Sequence, residues 1–341
     1  MNEFKLNKTC SSLKEPNPTL SNEQSAMKVK EEKKEVIKGI EEVIESGELD
    51  TDDRIYSLTM TGDKRIAIWT RGCIFILSYD VNEKGWKRDI FKKEPLNAYV
   101  YSLCSLNVNR LLSGVEGSIK VWFLFDADLR LIKEIEAHIV PLRKIIPLSN
   151  KRFASCSMDN TVKIWKDKAY RCLSTLRHDN WVNSILQLRG KEVLVASYFG
   201  HRSSGISFWN INNYTKQHTI TGYGVHWSTN MIELSNGNIA LSPYDESSIV
   251  IIDSSSYQIV TMIQLKEYIT HDSSLCVFDE HSFIYVCEGT FLQISNEDGR
   301  VLFHSKGGGF NGFFGIIPLE GGKYFAIENE RSISIIKTCF A

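Results

Sequence analysis

From about residue 54 onward, short apolar runs alternate with polar residues and are separated by turn-forming residues. Seven of these runs share one frame, in which polar and apolar positions alternate up to a final large or apolar position. Between successive runs the final positions lie 41 to 45 residues apart. The runs occupy residues 73–77, 118–122, 161–165, 205–209, 248–252, 291–295 and 332–336. Strict alternation is typical of β-strands, so each run is predicted to be a strand.

The regular period predicts a repeat architecture. Each unit has further apolar strands upstream of the shared run, for example at residues 111–113 and 152–155. Repeats of about 40–45 residues with four strands each are typical of propeller blades. We therefore predict an all-β fold, a seven-bladed β-propeller of four-stranded antiparallel blades spanning residues 54–341. Closure into a ring would bury both faces of each small sheet and leave only short edges.

Residues 1–53 have a different composition. They contain eight Lys, 13 Asp or Glu and no Trp or Tyr, which gives this segment a net charge of −5. Ser21 and Gln24 have the spacing of a capping box. Apolar residues then recur three, four or seven positions apart, which predicts an amphipathic α-helix over about residues 22–46. The helix either binds a partner, for instance as a short coiled coil, or packs on its own domain.

Ring closure leaves one strand unassigned, because the chain ends five residues after the third strand of the last repeat. An N-terminal segment is expected to supply the missing outer strand. Residues 3–7 alternate in polarity and could do so. Residues 36–44 are the other candidate, if they are not helical.

The third repeat carries the most specific pattern. Residues 154–165 read Ala-Ser-Cys-Ser-Met-Asp-Asn-Thr-Val-Lys-Ile-Trp, and His138 lies upstream. This segment resembles a WD40 repeat, and the second and fourth repeats are similar. The resemblance implies a hydrogen-bond network inside the blade, formed by His138, Ser155, Asp159 and Trp165. It also implies a rim of loops around a central channel that holds peptides or protein partners.

In proteins of this kind the first residue of each inner strand is the usual contact position. Seven residues occupy or lie near that position here, and Asp179 lies just before one of them. Aromatic residues and Arg are typical of binding hot spots, whereas packing against adjacent loops is the alternative role. The predicted partner-binding residues are Arg54, Tyr99, Pro141, Asp179, Trp181, Trp227, His271 and Phe310.

Several sequence features admit a catalytic as well as a structural interpretation. A His–Asp–Ser set can form a nucleophilic triad, but the spacing in the third repeat favours a structural network. Residues 307–312 satisfy Gly-x-Gly-x-x-Gly, yet a strand-like run follows where the dinucleotide motif needs a helix, so they are predicted to be an inter-blade loop. No metal-ligand spacing is present among the eight His. We predict no enzyme activity, no cofactor and no metal.

Charge and cysteine usage narrow the class of protein. The 40 Lys and Arg nearly balance the 41 Asp and Glu, which disfavours nucleic acid and membrane surfaces as partners. The eight Cys never form a Cys-x-x-Cys pair and are expected to be free buried thiols in a reducing compartment. We expect a cytoplasmic protein, with the nucleus as an alternative, acting as a scaffold for protein or peptide partners. Other hypotheses are a substrate-recognition subunit of a ubiquitin ligase and a structural subunit of a large assembly.

Overall fold

The computed structural model describes 14 stretches of the chain, and every regular element within them is a β-strand. Residues 35–341 form one compact unit. The all-β fold class is thereby confirmed. The described residues are 37–45, 55–70, 73–80, 85–93, 100–126, 128–200, 204–221, 228–243, 248–265, 273–287, 290–306, 315–319, 324–329 and 332–340.

Six blades each consist of four strands that are consecutive in the sequence and pair in order. Blade 1 contains β2 (Ile55–Met60), β3 (Ile66–Thr70), β4 (Cys73–Asp80) and β5 (Gly85–Lys93). Blade 2 contains β6 (Val100–Asn107), β7 (Arg110–Val115), β8 (Ser118–Leu124) and β9 (Leu129–Glu136). Blade 3 contains β10 (Leu142–Leu148), β11 (Arg152–Ser157), β12 (Thr161–Lys166) and β13 (Arg171–Arg177).

The next three blades repeat this plan. Blade 4 contains β14 (Trp181–Gln187), β15 (Val193–Phe199), β16 (Gly205–Asn210) and β17 (Thr215–Thr221). Blade 5 contains β18 (Ser228–Glu233), β19 (Ile239–Pro243), β20 (Ser248–Ile252) and β21 (Ile259–Gln264). Blade 6 contains β22 (Ser273–Val277), β23 (Ser282–Cys287), β24 (Thr290–Ser295) and β25 (Val301–Lys306). In every blade the strands pair antiparallel, and the six periodic runs found in these repeats are the third strands.

A further four-stranded sheet, which we call the composite sheet, joins the two ends of the chain. It contains β1 (Ile37–Glu45), β26 (Ile316–Leu319), β27 (Tyr324–Asn329) and β28 (Ser332–Phe340). Its strand order is β1-β28-β27-β26, so the last repeat contributes three strands and the N-terminal segment contributes the fourth. The described residues therefore show six blades that are contiguous in sequence rather than the seven predicted, because the seventh repeat supplies only three strands and its sheet is completed by β1.

The predicted helix over residues 22–46 is wrong where the structure describes that segment. Residues 37–45 form β1, which pairs antiparallel with β28, for example Val43 opposite Ile336. The physical reason is that β28 would otherwise be an unpaired edge, and its backbone groups pair with whichever extended segment can reach them. The expectation that an N-terminal segment supplies the missing outer strand is confirmed, and the segment is the candidate at residues 36–44, of which 37–44 lie in β1. Residues 22–36 and the alternative strand at 3–7 lie outside the described residues.

The hydrophobic core is divided among the interfaces between successive sheets. One buried cluster joins blades 1 and 2 through Trp69 and Trp122, and another joins blades 2 and 3 through Val121 and Phe153. Similar clusters follow between blades 3 and 4, 4 and 5, and 5 and 6, and between blade 6 and the composite sheet. The last one packs Phe75 of blade 1 against Ala326 of the composite sheet. The sheets are thus arranged in a ring, and each sheet packs against a neighbour on both faces.

Polar side chains also join successive blades, at the turn after the third strand. Three Arg lie at or just before the second strand of blades 1, 2 and 3, and each reaches this turn in the next blade. Arg65 Nη1 donates to the carbonyl of Asp126 at 3.3 Å, and Arg110 forms a two-point ion pair with Asp167 at 2.5 and 3.1 Å. Arg152 Nη1 donates to the carbonyl of Ile211 at 2.5 Å. These arginine contacts fix blades 1, 2 and 3 to their successors.

Candidate functional site

Two loops on one side of the ring enter the inner strands of blades 3 and 4. The first, before β10, is held by the preceding blade, because the amides of His138 and Leu142 donate to the carbonyls of Gly117 and Glu116 at 2.7 and 2.6 Å. A side chain at position 117 would collide with the carbonyl oxygen of His138, so glycine permits this close approach. Ser157 Oγ donates to the carbonyls in the same loop at 3.2 and 3.1 Å. The loop is therefore rigidly placed.

The second loop, before β14, is anchored in the same way. The amide of His178 donates to the carbonyl of Asn160 at 2.9 Å, so the β11–β12 turn of blade 3 supports the entry into blade 4. These hydrogen bonds pair backbone groups of the two loops, and several side chains of the loops are exposed to solvent. Ile139 is 90% exposed and Trp181 is 39% exposed, and Pro141 and Asp179 are also exposed. We call Ile139, Pro141, Asp179 and Trp181 the rim patch.

The rim patch contains three of the predicted partner-binding residues, Pro141, Asp179 and Trp181. Pro141 ends the loop before β10, and Trp181 is the first residue of β14. Ile139 was not predicted; it lies two residues before Pro141, the same offset that singled out Asp179 before Trp181. The other predicted partner-binding residues lie outside the described residues: Arg54, Tyr99, Trp227, His271 and Phe310.

Inside blade 3 the structure brings the four predicted network residues together. Trp165 Nε1 donates to Ser155 Oγ at 2.9 Å, Ser155 Oγ lies 2.8 Å from His138 Nε2, and His138 Nδ1 lies 2.9 Å from Asp159 Oδ2. Because a carboxylate only accepts, Nδ1 carries the imidazole proton and Nε2 accepts from the serine hydroxyl. The resulting chain of donors runs from Trp165 through Ser155 and His138 to Asp159.

Thr161 belongs to this network but was missed in the sequence. Its hydroxyl donates to Asp159 Oδ1 at 2.6 Å, and its amide donates to the same oxygen at 3.0 Å. The signal was available, because a Ser or Thr two residues after Asp closes a common side-chain turn. These hydrogen bonds, together with His138, outweigh burial and hold the pKa of Asp159 below its usual value. Burial lowers the pKa of His138 in spite of the neighbouring carboxylate.

The geometry is that of a structural network. Ser155 is fully buried and His138 is 8% exposed, so a substrate has no access to the hydroxyl that a catalytic triad would use as nucleophile. Removing Asp159 leaves the buried Nδ1–H group of His138 and the hydroxyl of Thr161 without their acceptor. An unpaired buried donor costs about 1–3 kcal/mol.

We expect Asp159→Ala to lower the free energy of unfolding by about 2 kcal/mol, measured by urea denaturation. Asp159→Asn retains an acceptor oxygen and should recover part of the loss. Asp128→Ala is the matched control, because Asp128 is 50% exposed and its ion pair with Arg130 should contribute little. An Asp159→Ala variant as stable as the control would contradict the structural assignment.

Related networks occur in the neighbouring blades. In blade 2 Trp122 Nε1 donates to Ser113 Oγ at 2.9 Å, without a histidine. In blade 4 His178 Nε2 lies 2.8 Å from Ser207 Oγ, and Trp209 Nε1 lies 2.9 Å from that hydroxyl and 3.1 Å from His178 Nε2. Ser207 is two residues from Trp209 rather than ten, so the serine comes from the third strand instead of the second.

Most of the described cysteines are buried thiols. Cys73, Cys104, Cys156, Cys276 and Cys287 are buried and form no disulfide, as predicted, whereas Cys172 is exposed on the outer strand β13. The prediction of burial is wrong for Cys172, because an outer strand has one open side. Burial raises the pKa of Cys104, Cys156 and Cys276 to about 12, so these thiols stay protonated.

The described part of the chain also bears on metal binding and membrane insertion. Within the described stretches no three His, Cys, Asp or Glu side chains lie grouped as metal ligands. In the same stretches no helix has the length and apolar character that crossing a membrane requires. The glycine-rich segment at 307–312, predicted to be an inter-blade loop, lies outside the described residues.

Four-stranded antiparallel blades packed face to face in a ring define the chain as a β-propeller. Residues 130–166, which contain most of blade 3 and its histidine network, match the family model "WD domain, G-beta repeat". The chain therefore contains a WD40 repeat within a β-propeller, as the resemblance implied. No curated protein sequence matches the chain.

Proposed function

We propose that this chain is a non-enzymatic scaffold that binds a peptide or protein partner at the rim patch. WD40 propellers commonly serve protein–protein interaction. The observation that carries the proposal is the exposure of large apolar side chains on rigidly held loops, above all Ile139 at 90% and Trp181 at 39%. Apolar surface that is exposed on fixed backbone favours association, because little conformational entropy is lost on binding.

The composition of the rim patch indicates the kind of partner. Trp is the residue most enriched at binding hot spots, and Asp179 adds one negative charge two residues before it. A partner segment that carries an apolar side chain next to a basic one would complement both features.

We expect Trp181→Ala to weaken binding of such a partner by about 2 kcal/mol, or roughly 30-fold. The partner is first isolated by affinity purification with the full chain, and its dissociation constant is then measured by titration calorimetry. Trp181→Ala/Trp227→Ala tests whether the second predicted tryptophan adds to the effect.

Val260→Ala is the matched control. Val260 is 58% exposed, but it lies on the outer strand β21 rather than on the rim. The control should bind as the unmodified chain does. Equal affinities of the control and the double variant, with both folded by circular dichroism, would contradict the proposal.

A further inference from the structure

The inner strands of blades 1 to 5 share an irregularity near their start. In blades 1, 2, 3 and 5 the pairing register shifts by one residue between the first and third residues of the strand, and in blade 4 it shifts between the second and fourth. A bulge of this kind re-aims the side chain that follows it. We call these residues, with their counterpart on β22, the inner ring: Ser57, Ser102, Lys144, Ser184, Asn230 and Ser274.

Inner-ring side chains link neighbouring inner strands. Ser57 Oγ accepts from the amide of Leu103 at 2.9 Å, and Ser102 Oγ accepts from the amide of Ile145 at 2.9 Å. Asn230 Nδ2 donates to Ser274 Oγ at 3.1 Å. The first strands of successive blades contact one another, so they form the innermost wall of the ring. The inner ring is therefore a band of small polar groups around the central channel.

Lys144 departs from this plan. The hydroxyl groups of Ser57 and Ser102 each accept a hydrogen bond from an amide of the next blade. An ammonium group donates but cannot accept, so Lys144 cannot accept a hydrogen bond from the amide of Ile185 at the equivalent place. Its Nζ instead donates to Ser184 Oγ at 3.2 Å, and Ser184 is fully buried. Blade 3 therefore has a partly buried cation in the channel wall where blades 1 and 2 have a hydroxyl acceptor. Burying a cation costs free energy unless the cation has an anionic partner.

The described residues do not provide that partner. Among them no carboxylate acts on Lys144; the Cys156 thiol lies opposite it on β11, and Ser184 Oγ accepts a hydrogen bond from its Nζ. Burial lowers the pKa of Lys144, which indicates an ammonium group poorly compensated by its surroundings.

We propose that Lys144 binds a carboxylate in the central channel, between the inner strands of blades 3 and 4. A carboxylate matches one ammonium in charge and accepts hydrogen bonds from it and from neighbouring hydroxyl groups. A phosphate dianion usually requires several cations, often arginines, so it fits this position less well. The source favoured by the proposed function is an Asp or Glu side chain of a peptide bound at the rim, and this choice of source rests on that function.

The test uses the full chain, with acetate as probe and chloride at equal ionic strength as reference. Lysine is labelled with ¹³C at Cε, and the Lys144 resonance is identified by its absence in Lys144→Met. We expect acetate to shift this resonance, to raise the pKa of Lys144 and to raise Tm, because a ligand that binds only the folded state stabilises it.

Lys144→Met should weaken acetate binding about tenfold or more, whereas Lys144→Arg should retain the rise in Tm. Lys166→Met, at the exposed end of β12, is the matched control and should respond as the unmodified chain does. An equal rise in Tm for Lys144→Met would overturn the proposal. So would a Lys144 resonance that acetate does not move, since a carboxylate of this chain would then occupy the site, or a response to phosphate but not to acetate.

The two sources of the carboxylate are distinguished with a capped tripeptide that carries one Glu, compared with its Gln counterpart. If the Glu peptide binds more tightly than acetate and loses this advantage in Trp181→Ala, the carboxylate belongs to a peptide at the rim. If it binds no more tightly than acetate, the ligand is a small free carboxylate. Acetate binding that persists while Trp181→Ala leaves partner binding unchanged would retain the Lys144 site and reject the proposed rim function.

Discussion

Removal of residues 1–45 is expected to lower the free energy of unfolding by about 3 kcal/mol or more and to promote aggregation, because the composite sheet loses strand β1. The register pairs seven residues of β1 with β28, from Ile37 opposite Phe340 to Glu45 opposite Ser334. A net contribution of roughly 0.5–1.5 kcal/mol per hydrogen bond makes the loss of this pairing large. The open edge of β28 would also be a template for pairing with other chains.

The matched control is removal of residues 1–34, which leaves the whole of β1 in the chain. This variant should unfold within about 1 kcal/mol of the full chain, because β1 stays in place. Urea denaturation and light scattering measure the two variants side by side. A synthetic peptide of residues 35–47 should restore stability to the shorter chain by strand addition, whereas a scrambled peptide should not. Equal stability of both truncated chains would show that β1 does not stabilise the composite sheet.

The fate of residues 37–45 shows where sequence reasoning failed. Ile37, Ile40 and Ile44 have the spacing of one helix face, and the Lys and Glu between them favour helix. The decisive interaction is with β28, about 290 residues away in the sequence, and the local helical spacing carries no information about it. The missing outer strand of the last repeat did make residues 36–44 a candidate for this pairing. The third strands were predicted correctly because their alternation is local and recurs in every repeat. Non-local pairing overrides local propensity where an edge needs a partner.

At the candidate site, too, contacts within one repeat were predictable from the sequence, whereas contacts between blades were not. The network of His138, Ser155, Asp159 and Trp165 was predictable because the residues keep a fixed spacing within one repeat. The contact of Arg110 with Asp167 was not predicted, because it spans two blades and its residues are 57 positions apart. A periodic signal did exist, since Arg65, Arg110 and Arg152 recur at the start of second strands. Conversely, Lys144 became informative only when the structure aligned it with serines of neighbouring blades.

Lowering the pH from 7 to 5 is expected to destabilise the folded chain by about 2 kcal/mol through His178 alone. Burial lowers the pKa of this imidazole from its ordinary value of 6.5 to about 4, and His178 is 8% exposed. The contact with Trp209 supports the neutral form, because the indole N–H points to His178 Nε2 at 3.1 Å and a protonated ring would present a second donor there. Between pH 6.5 and 4 the unfolded chain therefore binds a proton at this residue that the folded chain does not. Stability falls as pH decreases through this window, and the loss is complete below about pH 4.

The measurement is the urea unfolding free energy at pH 7, 6 and 5 for the unmodified chain, His178→Gln and His304→Gln. His178→Gln removes the titrating group. Between pH 7 and 5 the variant should therefore lose about 2 kcal/mol less of its unfolding free energy than the unmodified chain does. His304 is exposed on β25, and His304→Gln should follow the unmodified chain. Comparing slopes rather than absolute stabilities separates the titration of His178 from the hydrogen bonds that its replacement disturbs. Parallel curves for the unmodified chain and His178→Gln would mean that His178 takes up its proton equally in both states, and that burial in blade 4 does not hold it neutral.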